Sequence, residues 1–568
     1  FDRDVSLPSP SSVHPSSPRL AMRVSVLDYG AGNVRSLHNA LVALGCEVEY
    51  LSTAEQITAA SALIFPGVGA FGRCMEVLEA RGFTQALKAY VAAGRPYLGI
   101  CLGLQTLFEG SEESPGVAGL GIIPGIVGRF ASGEGRSVPQ IGWNGLRPLR
   151  EHGLLDAIAP DDAVYFVHSF RVAPDARLAE WPLCETDYGE PYVSAVAKGA
   201  VSACQFHPEK SGAVGLRLLG NFLRLALGAE PSLTPPPATR AAAPPGGKTR
   251  FCKRVIACMD VRANDSGDLV VTKGDQYDVR EKSNGGEVRN LGKPVALAER
   301  YYHEGADEIT FLNITGFRDC PLTDMPMTQL IAEASKNIFV PLTVGGGIRA
   351  FTDSNGVSST ALQVADAYFR AGADKVSIGS DAVDVARAWL EKKELTGTSS
   401  IEAISRVYGR QAVVVSIDPR RRWVKTSEEA EGHALCDHSE HRARGPEGET
   451  LCWYECTVQG GRAGSGLDVV QVSQAVQALG AGEILLNCID NDGQNDGYDI
   501  PLVRSVRQAV GIPVIASSGA GSAAHFDEVF KQTGVEAALA ASIFHRNQVS
   551  IREVKELLMS TGVDVRQV

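Results

Sequence analysis

Two α/β units in tandem are predicted: an open, largely parallel sheet over residues 23–228 and a (β/α)8 TIM barrel over residues 251–568. Three observations carry this reading. Short apolar runs of strand type alternate with amphipathic stretches in both parts, the pattern of parallel α/β sheets. The second part holds eight such units in about 300 residues, the size of a (β/α)8 barrel, and its first four units reappear as its last four. Residues 255–260 match 413–418, residues 306–313 match 481–487, and residues 341–348 match 513–519, as in an internal duplication. Between the two parts, residues 229–250 crowd Pro, Ala, Ser and Thr without apolar periodicity, which reads as a semi-rigid linker.

The elements follow in order. Residues 1–22 are rich in Ser and Pro and include Arg3 and Arg19. They read as a disordered extension or as a transit-peptide remnant. The second reading places the protein in the plastid stroma, the first leaves it in the cytoplasm. In the first unit, strands are expected at 24–29, 62–65 and 96–100, and helices at 34–44 and 102–108. Barrel strands are expected at 254–260, 309–314, 341–344, 374–378, 412–418, 483–489, 513–517 and 536–541. Insertions at 351–362, 391–403 and 424–453 interrupt this rhythm.

Composition excludes several classes. A chain of 568 residues exceeds one ordinary domain, and 44% hydrophobic residues with 60 glycines suit a soluble enzyme. A net charge of −12 without a basic run argues against a nucleic-acid partner. No apolar stretch reaches membrane-spanning length. Of twelve cysteines, Cys452 and Cys456 come nearest to a metal spacing. No second pair follows them, so no metal is expected. Reduced thiols in an intracellular compartment fit best. No organic cofactor is implied.

Gly99-Ile-Cys101-Leu-Gly103 closes an apolar strand. A nucleophile between small residues at a strand-to-helix corner is a nucleophile elbow. Its thiol needs a base. His207 is the candidate, and Glu209, across Pro208, can orient it. The loop after the 62–65 strand carries Gly67 and Gly69, where backbone can approach a ligand and supply an oxyanion N–H. His168 lies in an apolar strand and reads as structural support.

These residues resemble class I glutamine amidotransferases, whose triad is Cys-His-Glu in this chain order and which release ammonia from glutamine through a cysteinyl thioester. Residues 28–33, 140–144 and 165–170 further resemble the glutaminase subunit of the imidazole glycerol phosphate synthase family. By that resemblance Gly67, Gly69 and Gln105 belong to the glutamine pocket, and the first unit is a class I glutamine amidotransferase α/β domain.

In the barrel, Asp260 and Asp418 stand at equivalent ends of strands 1 and 5, opposite each other across the mouth. Two such carboxylates can serve as general acid and general base. Two glycine-rich anion sites are also duplicated. Gly346 and Gly347 with Gly379 and Ser380 make one, and Ser518 and Gly519 with Ala541 and Ser542 make the other. Backbone N–H groups and helix N-termini there can bind phosphate, so a long ligand with a phosphate at each end is expected. Asn313 ends strand 2 and is assigned no catalysis. Arg254, Glu308, Lys375 and Glu483 stand at the starts of strands 1, 2, 4 and 6, where apolar residues would be usual.

The barrel resembles the cyclase half of the same synthase family, which acts on a phosphoribulosyl-formimino bisphosphate of aminoimidazole carboxamide ribonucleotide. By that resemblance Asp260 and Asp418 are the catalytic pair, Lys273 lies on a mobile loop, Asp492 and Gly493 lie in a substrate loop after strand 6, and the four charges form the gate for ammonia. Small-molecule substrates and no cofactor are what it implies, and the fusion of both halves, which makes recruitment of a partner subunit unnecessary, points to a monomer. A related histidine-pathway isomerase barrel gives no reason for an attached glutaminase, and a non-catalytic fusion would not need an intact triad and Asp pair.

Overall fold

The computed structural model describes residues 22–567 apart from 31, 132, 134–135, 160, 229, 232–246, 264–268, 273–292, 315–325, 354 and 459. In the first unit an eight-stranded sheet runs, in spatial order, Cys46–Leu51, Met22–Leu27, Leu63–Gly67, Tyr97–Cys101, Val201–Cys204, Glu190–Lys198, Pro182–Tyr188 and Arg147–Pro148. The first five are parallel and the rest antiparallel. Leu63–Gly67 and Tyr97–Cys101 are buried throughout, as strands covered on both faces must be. Two separate apolar clusters cover the sheet, one built on Val24, Ile64 and Ile100, the other on Leu27, Phe65 and Tyr97. Alternate strand residues feed opposite faces. The first strand begins at Met22, one residue inside the segment expected to precede the unit.

The barrel closes. Its eight parallel strands are Arg254–Ala263, Glu308–Asn313, Leu342–Gly345, Lys375–Ile378, Val413–Ile417, Glu483–Asn487, Val514–Ser517 and Ala537–Ala540, and the last pairs with the first. Each falls within a few residues of its expected place. One differs in kind. The first strand does not end at Asp260 but runs on to Ala263 and pairs antiparallel with Leu269–Thr272. Asp260 still marks the rim, because the parallel ladder to the second strand stops at Val261. Ile256, Cys258, Val414, Leu485, Ile515 and Leu539 fill the interior.

The insertions acquire structure. A short hairpin, Phe351–Thr352 with Ser358–Ser359, occupies the first. The second spans the end of helix Ser380–Lys392 and the start of helix Ser400–Tyr408. The third belongs to a four-stranded antiparallel sheet of Pro419–Val424, Leu435–Asp437, Leu451–Val458 and Ala463–Asp468. That sheet starts one residue after Asp418.

The amino-terminal end of the barrel seats on the first unit. Trp143 Nε1 donates to Asp307 O at 3.1 Å, Asn33 Nδ2 donates to Asp374 Oδ1 at 2.8 Å, and Lys210 Nζ pairs with Asp374 at 2.7 Å. Ile141, Trp143 and Tyr165 join the barrel's own apolar cluster. One core therefore crosses the junction, which favours a fixed docking over a loose tether.

Candidate active site

Three adjacent parallel strands end at one edge of the first sheet and deliver the triad. In register, Gly67 lies opposite Cys101, and Cys204 lies opposite Ile100. The chain then passes through Gln205 to His207. Cys101 has φ of 52° and ψ of −102°, a conformation costly for a residue with a side chain. The flanking glycines are required by close approach: a Cβ at Gly103 would lie 2.1 Å from Phe65 O, and one at Gly99 2.6 Å from Gly103 O. The helix expected over 102–108 is a single turn, Leu102–Gln105. The next N–H groups are used otherwise: Leu107 N donates to Leu104 O and Phe108 N to Gln105 O, a tighter turn, and Glu109 N donates to Gly125 O, so the donors a helix to 108 would need are taken.

His207 Nδ1 and Glu209 Oε1 are 2.7 Å apart, and both side chains are buried. Nε2 finds no hydrogen-bond partner among the described residues and is the nitrogen left for Cys101, whose side chain interacts with the ring. Burial disfavours the imidazolium, but Glu209 and Cys101 outweigh it and hold His207 well above its ordinary pKa. This arrangement can ionise a thiol and return a proton to a leaving amine. Gln205, which the sequence did not single out, donates to Cys101 Sγ at 3.5 Å and accepts from Gln105 Nε2 at 3.1 Å. A cavity beside the triad is lined by Gly67, Gly69, Cys101, Gln105 and, from the barrel, Gln411. His168 lines it too, kept neutral by burial with its pKa near 3.

A second cavity lies where the two units meet and is lined by Tyr165, His207, Lys210, Asp374, Lys375 and Gln411, among others. Lys375 also belongs to the ring at the barrel floor. Arg254, Glu308, Lys375 and Glu483 are each the first residue of their strand, and all four side chains are fully buried. Arg254 pairs with Glu308 at 2.7 Å and with Glu483, and Lys375 pairs with Glu308 at 2.7 Å and Glu483 at 2.6 Å. Thr343 Oγ1 donates to Glu308 at 2.6 Å. Against burial, Lys375 and Arg254 hold Glu308 below the usual carboxylate range. Against burial likewise, Glu483 and Glu308 hold Arg254 above its own.

At the opposite rim, burial and then Asp492 push Asp260 up to about 7. Burial also raises Asp418, opposed by Asn487, whose Nδ2 donates at 2.9 Å, and by Ser416. Two carboxyls with raised and unequal environments suit acid–base work near neutrality. Asp492, expected in the substrate loop, thus acts on Asp260, and Gly493 turns that loop with φ of 74°. Lys273 lies outside the described residues. In the first candidate anion site, Gly346 has φ of 89° and its Cβ would lie 2.1 Å from Asn313 O. Gly347 follows, and Gly379 caps the helix beginning at Ser380. In the second, Ser518 and Gly519 take positive φ, and Ala541 precedes helix Ser542–His545. The two sites occupy strands 3–4 and 7–8, on opposite sides of the ring.

A Cys-His-Glu elbow on an open α/β sheet, seated beneath a barrel with opposed carboxyls and two glycine-rich loops at its rim, defines a glutamine amidotransferase fused to a barrel enzyme. The chain matches the class-I glutamine amidotransferase family over residues 25–225 and the histidine biosynthesis protein family over residues 254–550. It is 55% identical to the chloroplastic imidazole glycerol phosphate synthase hisHF of Arabidopsis thaliana, over 96% of this chain and 89% of that one. It is 51% identical to hisHF of Schizosaccharomyces pombe, over 96% and 100%. Over 55% of its length it is 40% identical to the synthase subunit HisF of Haloarcula marismortui, 98% of which is covered. The chain belongs to the imidazole glycerol phosphate synthase family, in its fused, two-domain form.

Proposed function

We propose that Cys101 attacks the side-chain amide carbon of glutamine, with His207 first taking the thiol proton and then giving it to the departing nitrogen, and Glu209 orienting the ring. Ammonia leaves, and water cleaves the thioester to glutamate. Ammonia passes from the junction cavity through the Arg254–Glu308–Lys375–Glu483 ring and up the barrel. There it condenses with the ribulosyl carbonyl of a bisphosphate held by the 346–347/379–380 and 518–519/541–542 sites. Asp260 and Asp418 move the protons of ring closure and C–N cleavage, giving imidazole glycerol phosphate and aminoimidazole carboxamide ribonucleotide. The observation that carries this reading is that His207 of the triad and Lys375 of the ring line the same cavity. Bulk water at neutral pH would protonate the ammonia and remove its lone pair, so an enclosed route is of use.

Glutamate release and product formation, assayed with glutamine or with an ammonium salt, test the assignments. Cys101→Ala should lose glutamine-dependent synthesis by more than about a thousandfold and keep synthesis from ammonium. Asp418→Asn should lose both. Glutamine-dependent turnover in Cys101→Ala would overturn the triad.

The plastid stroma is the proposed location, supported by the chloroplastic Arabidopsis relative and the composition of residues 1–22. Recovery in the cytosolic fraction of source cells would refute it. With both sites on one chain, a monomer is proposed. Sedimentation should give a mass near 60.3 kDa, and a stable dimer would contradict it.

A further inference from the structure

The sheet inserted after the fifth barrel strand reaches into the catalytic rim through one buried network. Tyr454 and His438 on that sheet are almost wholly buried. Tyr454 donates to Asp499 Oδ1 at 2.7 Å, and His438 Nε2 lies 2.9 Å from the Tyr454 hydroxyl. The single hydroxyl proton goes to the carboxylate, so His438 must be the donor to Tyr454 through Nε2–H. Burial keeps His438 neutral, with its pKa down near 4, and its Nδ1 has no partner among the described residues.

Asp499 is held from other sides as well. Arg421 Nε donates to Oδ2 at 2.9 Å, Cys488 Sγ to Oδ2 at 3.3 Å, and Leu502 N to Oδ1 at 3.2 Å. Arg421 also binds the Asn491 side chain, and its backbone N–H donates to Asp490 at 2.7 Å. Both ends of the loop 488–499 are therefore fastened to the inserted sheet. Between them lies Asp492, which acts on Asp260. The same loop braces the second anion site, with Gly497 N donating to Gly519 O at 2.8 Å.

We propose that Tyr454 and His438 are positioning residues for cyclisation: they fix Asp499, and with it the loop that sets Asp492 against Asp260. This gives the inserted sheet a task that a plain barrel lacks. It rests on the assignment of Asp260 and Asp418 as the acid–base pair. A carboxylate with several buried donors has one well-defined place, and so does the loop it anchors. Losing one hydrogen bond to a charged group loosens that place without removing any reacting atom.

The test uses the full chain, the bisphosphate and an ammonium salt, and reads kcat, KM and the pH profile. Tyr454→Phe should lower kcat about tenfold, the size of one lost hydrogen bond to a charged group, with KM little changed. The limb set by Asp260 should move to lower pH as Asp492 withdraws, since burial and Asp492 are what raise Asp260. Glutamine hydrolysis without bisphosphate should stay at the wild-type rate. His438→Gln, which returns an N–H near the position of Nε2, should recover most of what His438→Ala loses. Wild-type kcat and an unmoved limb in Tyr454→Phe would overturn the proposal. So would a lowered melting temperature with no kinetic change, or a His438→Gln no better than His438→Ala. If Asp418→Asn instead retains turnover, the acid–base assignment itself fails, whatever Tyr454 does.

Discussion

Asp260 is kept in an environment that opposes its charge. Burial and Asp492 lift it to about 7, so near neutrality it exchanges a proton readily. The same lift costs stability. In the unfolded chain an aspartate ionises near its ordinary pKa, while in the fold it holds its proton up to about 7. As pH rises between those values the unfolded state releases the proton first, and stability falls. Asp260→Asn should therefore melt above the wild type at pH 8 and close to it at pH 4, while losing cyclisation. Equal melting at both pH values would refute the lifted pKa. Residues of this kind were legible in the sequence because the duplicated halves place Asp260 and Asp418 at equivalent positions. Gln205 and Gln411 were not. Each is a single glutamine in an unremarkable local pattern, and only the meeting of distant strands, or of the two units, brings it to Cys101.

Strand ends and turns decide what the two sites can hold. The barrel strands were readable because each is a short apolar run, most of them with a polar or glycine residue at or just past the end. The one-turn helix after Cys101 was not, since the chain beyond it bonds to residues 120–125 instead, contacts that helical periodicity cannot show. Nor was the extension of the first strand to Ala263, which depends on a returning partner strand. The glycine loops offer a sharp test at this scale. Gly346→Ala puts a Cβ 2.1 Å from Asn313 O at φ of 89°, so the first anion site must shift. Its KM for the bisphosphate should rise by at least about tenfold, as expected when a backbone cradle loses charge-assisted hydrogen bonds, while glutamine hydrolysis without bisphosphate is unaffected. An unchanged KM would remove that loop from the binding site.

The ring at the barrel floor joins four strands of the barrel, and its Lys375 also lines the cavity at the junction with the first unit. Its four charges alternate, and burial makes each depend on its neighbours. Lys375→Met would leave Glu308 and Glu483 sharing Arg254 alone, a loss of about 3–5 kcal/mol for a broken buried pair. Calorimetry should show a clearly lower melting temperature. The deficit should shrink as pH falls into the acid range, because in the wild type Glu308, held low by Lys375 and Arg254, contributes stability that disappears only as it protonates there, while protonation relieves the less-compensated carboxylate of the variant. A melting temperature within a degree of wild type would mean the ring is not a closed network.

At the scale of the whole molecule, the two units are one machine only if ammonia travels inside it. The four ring residues could be read from the sequence as out of place in a packed barrel, yet their closure into a paired ring above the cavity shared by His207 and Lys375 required the fold. The direct measurement is isotopic. Let the full chain turn over glutamine labelled with ¹⁵N in its side-chain amide, in a large excess of unlabelled ammonium salt at neutral pH. An enclosed route predicts imidazole glycerol phosphate carrying nearly undiluted label. Label diluted to the isotopic composition of the bulk ammonium would show that the two sites exchange ammonia through solvent, and would contradict the account.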